Sequence, residues 1–414
     1  VNAKARYTYR LRVGPAQAAK LQGVFDACRA VWNQALGRWA ELHREEGLAY
    51  RYRDADRELT DWRSAWAWLA EQPSVPEQQV LRDLFKAVAA FFDKKNPAGR
   101  PRFKARKAGY ATARWTTNGF SVSRSGLGRP GDHIEVAVAG GRLPLRVVWS
   151  RPLPSAPSSV TVYRDKAGHW WANFVVEVGL PVAPVVLTAR STGLDMGLAT
   201  FATAEDEAHD VANPRFARRA AKALVRSQRN VARKQNSSKG RTKAKRRLAV
   251  LSAKVADQRS DFCHKAARGL LAAYDTIGVE ALAVKNMSRR ARKGHRRRKA
   301  GLNRSIADAG WAQFLKVLSW QATKAGKKVV VLPARDSTQT CSTCGARAKP
   351  RIELSERVFR CSCCGLVLGR DRNAARNLNP ARALGLAGGA VPARGSPAGD
   401  DGSKSLAPAG TEAA

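Results

Sequence analysis

The order of apolar and polar positions divides the chain into segments of different period. Residues 5–13 alternate, with Tyr7, Tyr9, Leu11 and Val13 on one face and Arg6, Thr8, Arg10 and Arg12 on the other. A period of two predicts a half-buried strand whose outer face is cationic. After Gly14-Pro15 the spacing changes. Leu21, Phe25, Cys28, Trp32, Ala35 and Trp39 recur every three or four residues, which predicts a helix. Helical sequence continues through Trp62, Trp66 and Trp68 to Phe92, and its spacing assigns the Trp stripe to a core rather than to a base-stacking platform. Residues 94–107 read as a basic loop punctuated by Pro and Gly. From 116 to 180 the pattern is β, including a hairpin from Val160–Arg164 through a turn at Asp165–Gly168 to Trp170–Val178. Pro181 and Pro184 mark a domain boundary near residue 185.

Beyond it, Ser191–Thr203 predicts two short strands joined at Met196-Gly197, and Asp275–Glu280 a buried strand. Between them, Val211–Ala256 predicts helices broken at Asn236–Gly240, and Phe262, Ala266, Leu270 and Tyr274 continue a helical stripe. Lys285–Arg304 reads as a mobile loop, Trp311–Ala322 as an amphipathic helix and Lys327–Leu332 as another strand. After Pro380 the chain turns Gly/Ala/Pro/Ser-rich, which predicts a disordered tail.

Charge adds the first functional restriction. Lys and Arg number 74 against 33 Asp and Glu, a net charge of +41. Such self-repulsion calls for a polyanionic partner, and nucleic acid is the obvious one. The excess is concentrated: Val211–Ala256 has 15 Lys and Arg and no acid, and Lys285–Arg304 has ten and none. No run of 18 apolar residues exists, so no membrane span is expected. Val1–Arg12 has no apolar signal core, and the cysteine usage points to a reducing, cytoplasmic setting, where DNA binding would associate the protein with the nucleoid.

Two constellations carry chemistry. Cys341-x-x-Cys344 and Cys361-x-x-Cys364 are separated by 16 residues, the spacing of a four-cysteine zinc site. Gly345 and Gly365 follow the pairs and permit the tight turn that brings backbone amides to the thiolates. Four thiolates leave no open position, so this Zn²⁺ is expected to be structural. Cys363 is out of register, and Cys28 and Cys263 read as core residues. The second constellation is Asp195, Glu280 and Asp371. Asp195 and Glu280 end or interrupt apolar strands, where an uncompensated carboxylate is costly. Together the three acids suit two Mg²⁺ ions about 4 Å apart, and their oxygen ligands suit hard cations.

Several motifs share one resemblance. Gly193-Leu-Asp-Met-Gly-Leu-Ala-Thr-Phe201, Ile277-Gly-Val-Glu-Ala-Leu282, the cysteine knuckles and Arg370-Asp-Arg-Asn-Ala-Ala-Arg-Asn377 resemble the TnpB (OrfB) proteins of bacterial insertion sequences, relatives of the type V CRISPR nucleases. Gly99–Lys104, Asn213–Phe216 and Asp336–Cys344 add matching segments in the same order. The resemblance implies an α+β multidomain protein: an RNase H-like (RuvC) α/β core with an inserted zinc ribbon, and an N-terminal β-barrel-like wedge domain carrying a helical insertion. The implied boundaries are 1–15 and 111–185 for the wedge, which would hold guide RNA and read a motif beside the target. They are 16–110 for the insertion clasping the guide–target heteroduplex, 186–340 and 366–380 for the nuclease, 341–365 for the ribbon and 381–414 for the tail. Asp195, Glu280 and Asp371 would be its catalytic Mg²⁺ ligands. Guide RNA, double-stranded target DNA and its displaced strand would be its partners, and Lys285–Arg304 a lid. One departure is Gly369, where the family often has Asp; the position is expected to be peripheral. Oligomeric state is left open.

The implied activity is RNA-guided DNA cleavage by two-metal phosphodiester hydrolysis, associated with transposition. Alternatives are a nuclease-inactive RNA-guided regulator, a transposase accessory protein, or a zinc-ribbon RNA-binding protein. A catalytic RNase H-like transposase orders its acids Asp, Asp, Glu, unlike the order here. A single-strand transposase needs a His-hydrophobe-His pair, which none of the six histidines forms.

Overall fold

The computed structural model describes residues 2–43, 49–94, 98–105, 111–123, 131–181, 190–289, 294–333, 336–353 and 355–383. Parts of the basic loop at 94–107, Pro184, Arg290–Lys293 and the tail beyond 383 therefore lie outside the described residues. The chain forms two compact units: 1–185, 215–268 and 290–327 make the first, and 186–214, 269–289 and 328–414 the second.

In the first unit, β1 (Asn2–Arg12) buries Ala5, Tyr7, Tyr9 and Leu11 and leaves Arg6, Thr8 and Arg12 exposed. Its alternation is the expected one. Helix α1 (Pro15–Glu41) follows, then α2 (Tyr52–Ala65), α3 (Ala67–Ala70) and α4 (Ser74–Phe92). Leu21, Val24, Phe25, Ala27, Cys28, Val31 and Ala35 of α1 are almost fully buried. Trp32 and Trp39 belong to that core, but Trp68 is 48% exposed, because α3 is a single turn that cannot bury a full face. The strands β2 (Thr112–Thr116), β3 (Phe120–Val122), β4 (His133–Val138), β5 (Gly141–Val148), β6 (Ser159–Arg164) and β7 (Trp170–Gly179) join β1 in a seven-stranded sheet ordered β2-β6-β7-β1-β5-β4-β3. Its two edge strands are consecutive in the chain. Gly119 N–H donates to Thr116 O at 2.8 Å, Ala137 N–H to Gly119 O at 2.8 Å and Trp115 Nε1–H to Ala137 O at 2.9 Å, so the sheet nearly closes. Alternate residues such as Trp115, Ile134, Leu145, Val160 and Phe174 fill its interior, each side chain stabilising by about 1.5–3 kcal/mol.

The second unit is built on β8 (Ser191–Met196), β9 (Thr200–Thr203) and β10 (Val211–Ala212). The chain then runs through α5 (Phe216–Ala232) and α6 (Lys239–Ala273) to β11 (Thr276–Glu280). From there α7 (Val284–Met287), α8 (Arg296–Ala309) and α9 (Trp311–Lys324) lead to β12 (Lys328–Leu332). The sheet order is β10-β9-β8-β11-β12, with β8, β11 and β12 parallel and β9 and β10 antiparallel. Helix α8 corrects the loop expected over Lys285–Arg304. Its basic residues are good helix formers, and Ile306 and Ala309 supply the buried stripe that the charge obscures. The described residues finish with a two-stranded ribbon, β13 (Val358–Arg360) and β14 (Val367–Gly369), then α10 (Arg370–Asn377) and α11 (Pro380–Ala383).

Candidate functional site

The parallel register pairs Leu194 with Val279, so Asp195 and Glu280 come next at the carboxyl ends of adjacent strands. Parallel sheets place ligands at that edge. The third acid arrives on α10, whose first turn carries Asp371 where the helix dipole favours a carboxylate. Two glycines let α10 lie against the strands. A Cβ on Gly193 would fall on the Ala375 carbonyl oxygen, and one on Gly278 on the Leu378 carbonyl oxygen. Ala374, Ala375 and Leu378 are buried at this crossing.

The acids influence one another. Asp195 is pushed up to about 7 by burial, by Asp371 and by Glu280, partly offset by the Arg370 guanidinium. Burial raises Glu280 as well. Arg370 is itself largely buried: Nη1 donates to Glu353 O at 3.0 Å, and Nε lies 3.6 Å from Asp371 Oδ1. Arg372 donates to both carboxylate oxygens of Asp210, at 3.1 and 3.0 Å, and to Ala204 O at 2.9 Å. Asp195 and Glu280 are thus half-buried carboxyls with a partly exposed Asp371 nearby, whereas among the described residues only the four cysteines bring ligand atoms within 4.8 Å of one another.

The cysteines form a second centre. Cys341 Sγ and Cys364 Sγ are 3.6 Å apart, and Cys344 Sγ and Cys361 Sγ 3.5 Å; all four lie within 4.8 Å of one another. These separations exceed a disulfide bond of about 2.05 Å. They suit a tetrahedron with metal–sulfur bonds of about 2.3 Å, whose edges are about 3.8 Å. Gly345 and Gly365 both adopt φ +73°, and their N–H groups close the turns onto Cys341 O and Cys361 O at 3.0 Å. Thr343 N–H donates to Cys341 Sγ at 3.4 Å. Cys28 and Cys263 are buried, as expected of core residues, and Cys363 is exposed.

The motif Arg370–Asn377 links the two centres in ways its sequence does not announce. Asn373, fully buried, donates to Thr340 O at 2.7 Å and accepts from Ser342 N–H at 2.9 Å. Asn377 donates to Ser337 O at 2.8 Å and Thr340 O at 2.7 Å. Gly193 and Gly278 were also missed as site residues, although glycine inside a strand signals close backbone approach. Gly369 is the exposed N-cap of α10, and a Cβ added there would meet only Arg372 Cβ, at 4.0 Å, among the described residues.

A cationic cleft lies in the first unit. Lys222, Arg226, Arg229, Arg233 and Arg247 line a volume of about 880 Å³ between α5 and α6. Asp308 holds the base of this hairpin by accepting from Ala217 N–H at 2.8 Å and Arg218 N–H at 3.0 Å. Arg241 closes the tip on Val231 O and Lys234 O. The hairpin is fixed in shape, and the run that forms it has no acid to neutralise the cleft.

Fold and site together define an α/β protein with acids at parallel strand ends and a four-cysteine knuckle feeding a third acid from a helix. Residues 173–291 match the OrfB_IS605 family profile, described as "Probable transposase", and 311–378 match a "Cas12f1-like, TNB domain". Residues 3–47 match a "Helix-turn-helix domain", whose described part here holds β1 and α1. A "Putative RNA-guided DNA endonuclease" of Streptomyces pristinaespiralis is 34% identical over 392 residues, 94% of this chain and 90% of that protein. The "Putative RNA-guided DNA endonuclease InsQ" of Escherichia coli (strain K12) is 33% identical over 401 residues, covering 94% and 95%. The Cas12f1 chain of a Cas12f1–sgRNA–target DNA complex matches in fold with a TM-score of 0.55 at 14% identity, over 89% of this chain and 83% of that one. The chain belongs to the TnpB (OrfB) family.

Proposed function

We propose that this protein is an RNA-guided DNA endonuclease of an insertion sequence, cutting the phosphodiester backbone at Asp195, Glu280 and Asp371. The observation that carries the reading is the placement of Asp195 and Glu280 at the carboxyl ends of the adjacent parallel strands β8 and β11, with Asp371 entering from the first turn of α10. Like-charged acids near one another gain from a shared cation. Their all-oxygen donor set fits Mg²⁺ rather than a soft metal. The strand order, three antiparallel strands extended by two parallel ones, supports an RNase H-like (RuvC) core.

Magnesium held there would supply the positive charge that acidifies water and neutralises the leaving 3′ oxygen. The chain's own residues set the geometry. Asp195 and Glu280 orient the cluster from rigid adjacent strands, Asp371 closes it from α10, and Arg370 offsets its negative charge. Cys341, Cys344, Cys361 and Cys364 would hold a structural Zn²⁺, with no position open to substrate. The cleft between α5 and α6 suits phosphate contacts that carry no sequence information, consistent with base pairing to a guide RNA reading the target and displacing its other strand. None of the described helices is long and apolar enough to cross a membrane.

The direct test is cleavage of target plasmid by the protein with its guide RNA, with and without Mg²⁺. Guide-dependent cutting that Asp195→Ala abolishes supports the reading. Guide-dependent binding without cutting by the native protein identifies a regulator instead.

A further inference from the structure

Helix α10 is gripped from two sides. Asp371 and Ala375 are four residues apart and share one helix face, the face that meets β8 at Gly193. Asn373 and Asn377, also four apart, share another, directed at the first cysteine knuckle. The contact there is specific. The Asn373 side-chain amide spans the backbone on both sides of Cys341, donating to Thr340 O and accepting from Ser342 N–H. Thr340 O accepts a second bond from Asn377. The second knuckle grips the helix start: β14 runs directly into α10, Arg370 N–H donates to Arg357 O at 2.8 Å, and the Arg370 side chain reaches Glu353 O.

From this arrangement we infer that Asn373 is a positioning residue coupling the four-cysteine centre to the carboxylate centre. Metal at the cysteines fixes the peptides around Cys341, Asn373 transmits that position to α10, and α10 sets where Asp371 stands relative to Asp195. The inference rests on the reading of the three acids as a cation site, and it assigns the knuckle a role in tuning that site beyond holding the fold. Groups one shell out from metal ligands commonly change metal affinity about 10–100-fold.

The test uses the full-length protein loaded with Co²⁺ at the cysteines and titrated with Mn²⁺, read by electron paramagnetic resonance, with Asp195→Ala as the reference. Asn373→Ala is expected to keep the thiolate–cobalt absorption of the native protein and to weaken Mn²⁺ binding about 10-fold or more. Asn377→Ala, which leaves the Asn373 clamp intact, is expected to weaken it by a smaller but measurable factor, and serves alone if the first variant does not fold. Native Mn²⁺ affinity in Asn377→Ala and in any folded Asn373→Ala with an intact cobalt spectrum overturns the inference. Absence of an Asp195-dependent Mn²⁺ site in the native protein is a different result, which sinks the cation-site reading itself.

Discussion

Gly193 and Ala375 meet backbone to backbone: the missing Cβ of Gly193 is the space that the Ala375 carbonyl oxygen occupies. This contact packs α10, which carries Asp371, against the strand that carries Asp195, and Asp371 is near enough to help raise the Asp195 carboxyl. Gly193→Ala is therefore expected to displace α10, destabilising by roughly 3 kcal/mol or more and removing cleavage. Gly269, where an added methyl would meet nothing within 4 Å, is the control. In its helix, Gly269→Ala should be neutral or stabilise by up to about 1 kcal/mol. Equal melting temperatures for the two variants would contradict the close-approach argument.

Asp195 gives the stability a sign with pH. Its folded pKa, about 7, lies above the ordinary 3.8. A raised carboxyl binds its proton more tightly when folded, so its contribution is full below about pH 4 and is lost as pH rises through about 7. Without divalent cation, Asp195→Asn should exceed the native protein in stability at pH 8 by on the order of 2 kcal/mol, allowing for partial solvent access. Near pH 3.5 the two should be equal. Mg²⁺ at pH 8 should stabilise the native protein only. Thermal melts at both pH values check this, and a native Tm at pH 8 that responds to neither change would refute it.

Thiol reactivity tests the knuckle. With metal bound, only exposed Cys363 should react readily with a chromogenic disulfide, since Cys28 and Cys263 are buried. Chelation should raise the reactive thiols from one to five, by releasing Cys341, Cys344, Cys361 and Cys364. Five reactive thiols before chelation would mean that the native cysteines hold no metal.

The α5–α6 cleft should bind polyanions through charge rather than shape. Arg226→Ala combined with Arg229→Ala should reduce the slope of log affinity against log salt by about one per lost phosphate contact. Mn²⁺ binding at the carboxylates should be unchanged. A salt slope identical to that of the native protein would remove the cleft from the nucleic-acid surface.

Much of this architecture was legible in the sequence because period and spacing are local. The alternation from Tyr7 to Leu11, the stripe from Leu21 to Trp39 and the strand around Glu280 all form as read. The cysteine cluster was legible because two knuckles of the same form need only be brought together. What escaped depends on distant partners. Nothing near Asn373 reveals that its amide closes on peptides 31 and 33 residues earlier. Gly193 and Gly278 lie within the motifs that carry the resemblance, but their purpose appears only when α10 is seen to cross them. Helix α8 was hidden because ten cations in one run suggest solvation, whereas Ile306 and Ala309 suffice to anchor it.

The central claim concerns the three acids, and the most direct measurement is guide-programmed plasmid cleavage with Asp195→Ala, Glu280→Ala and Asp371→Ala beside the native protein. The account predicts Mg²⁺-dependent cutting by the native chain and loss of at least about 10³-fold in rate for each variant, with target binding retained. Native-like cutting by any of the three, or cutting that needs no divalent cation, would contradict it.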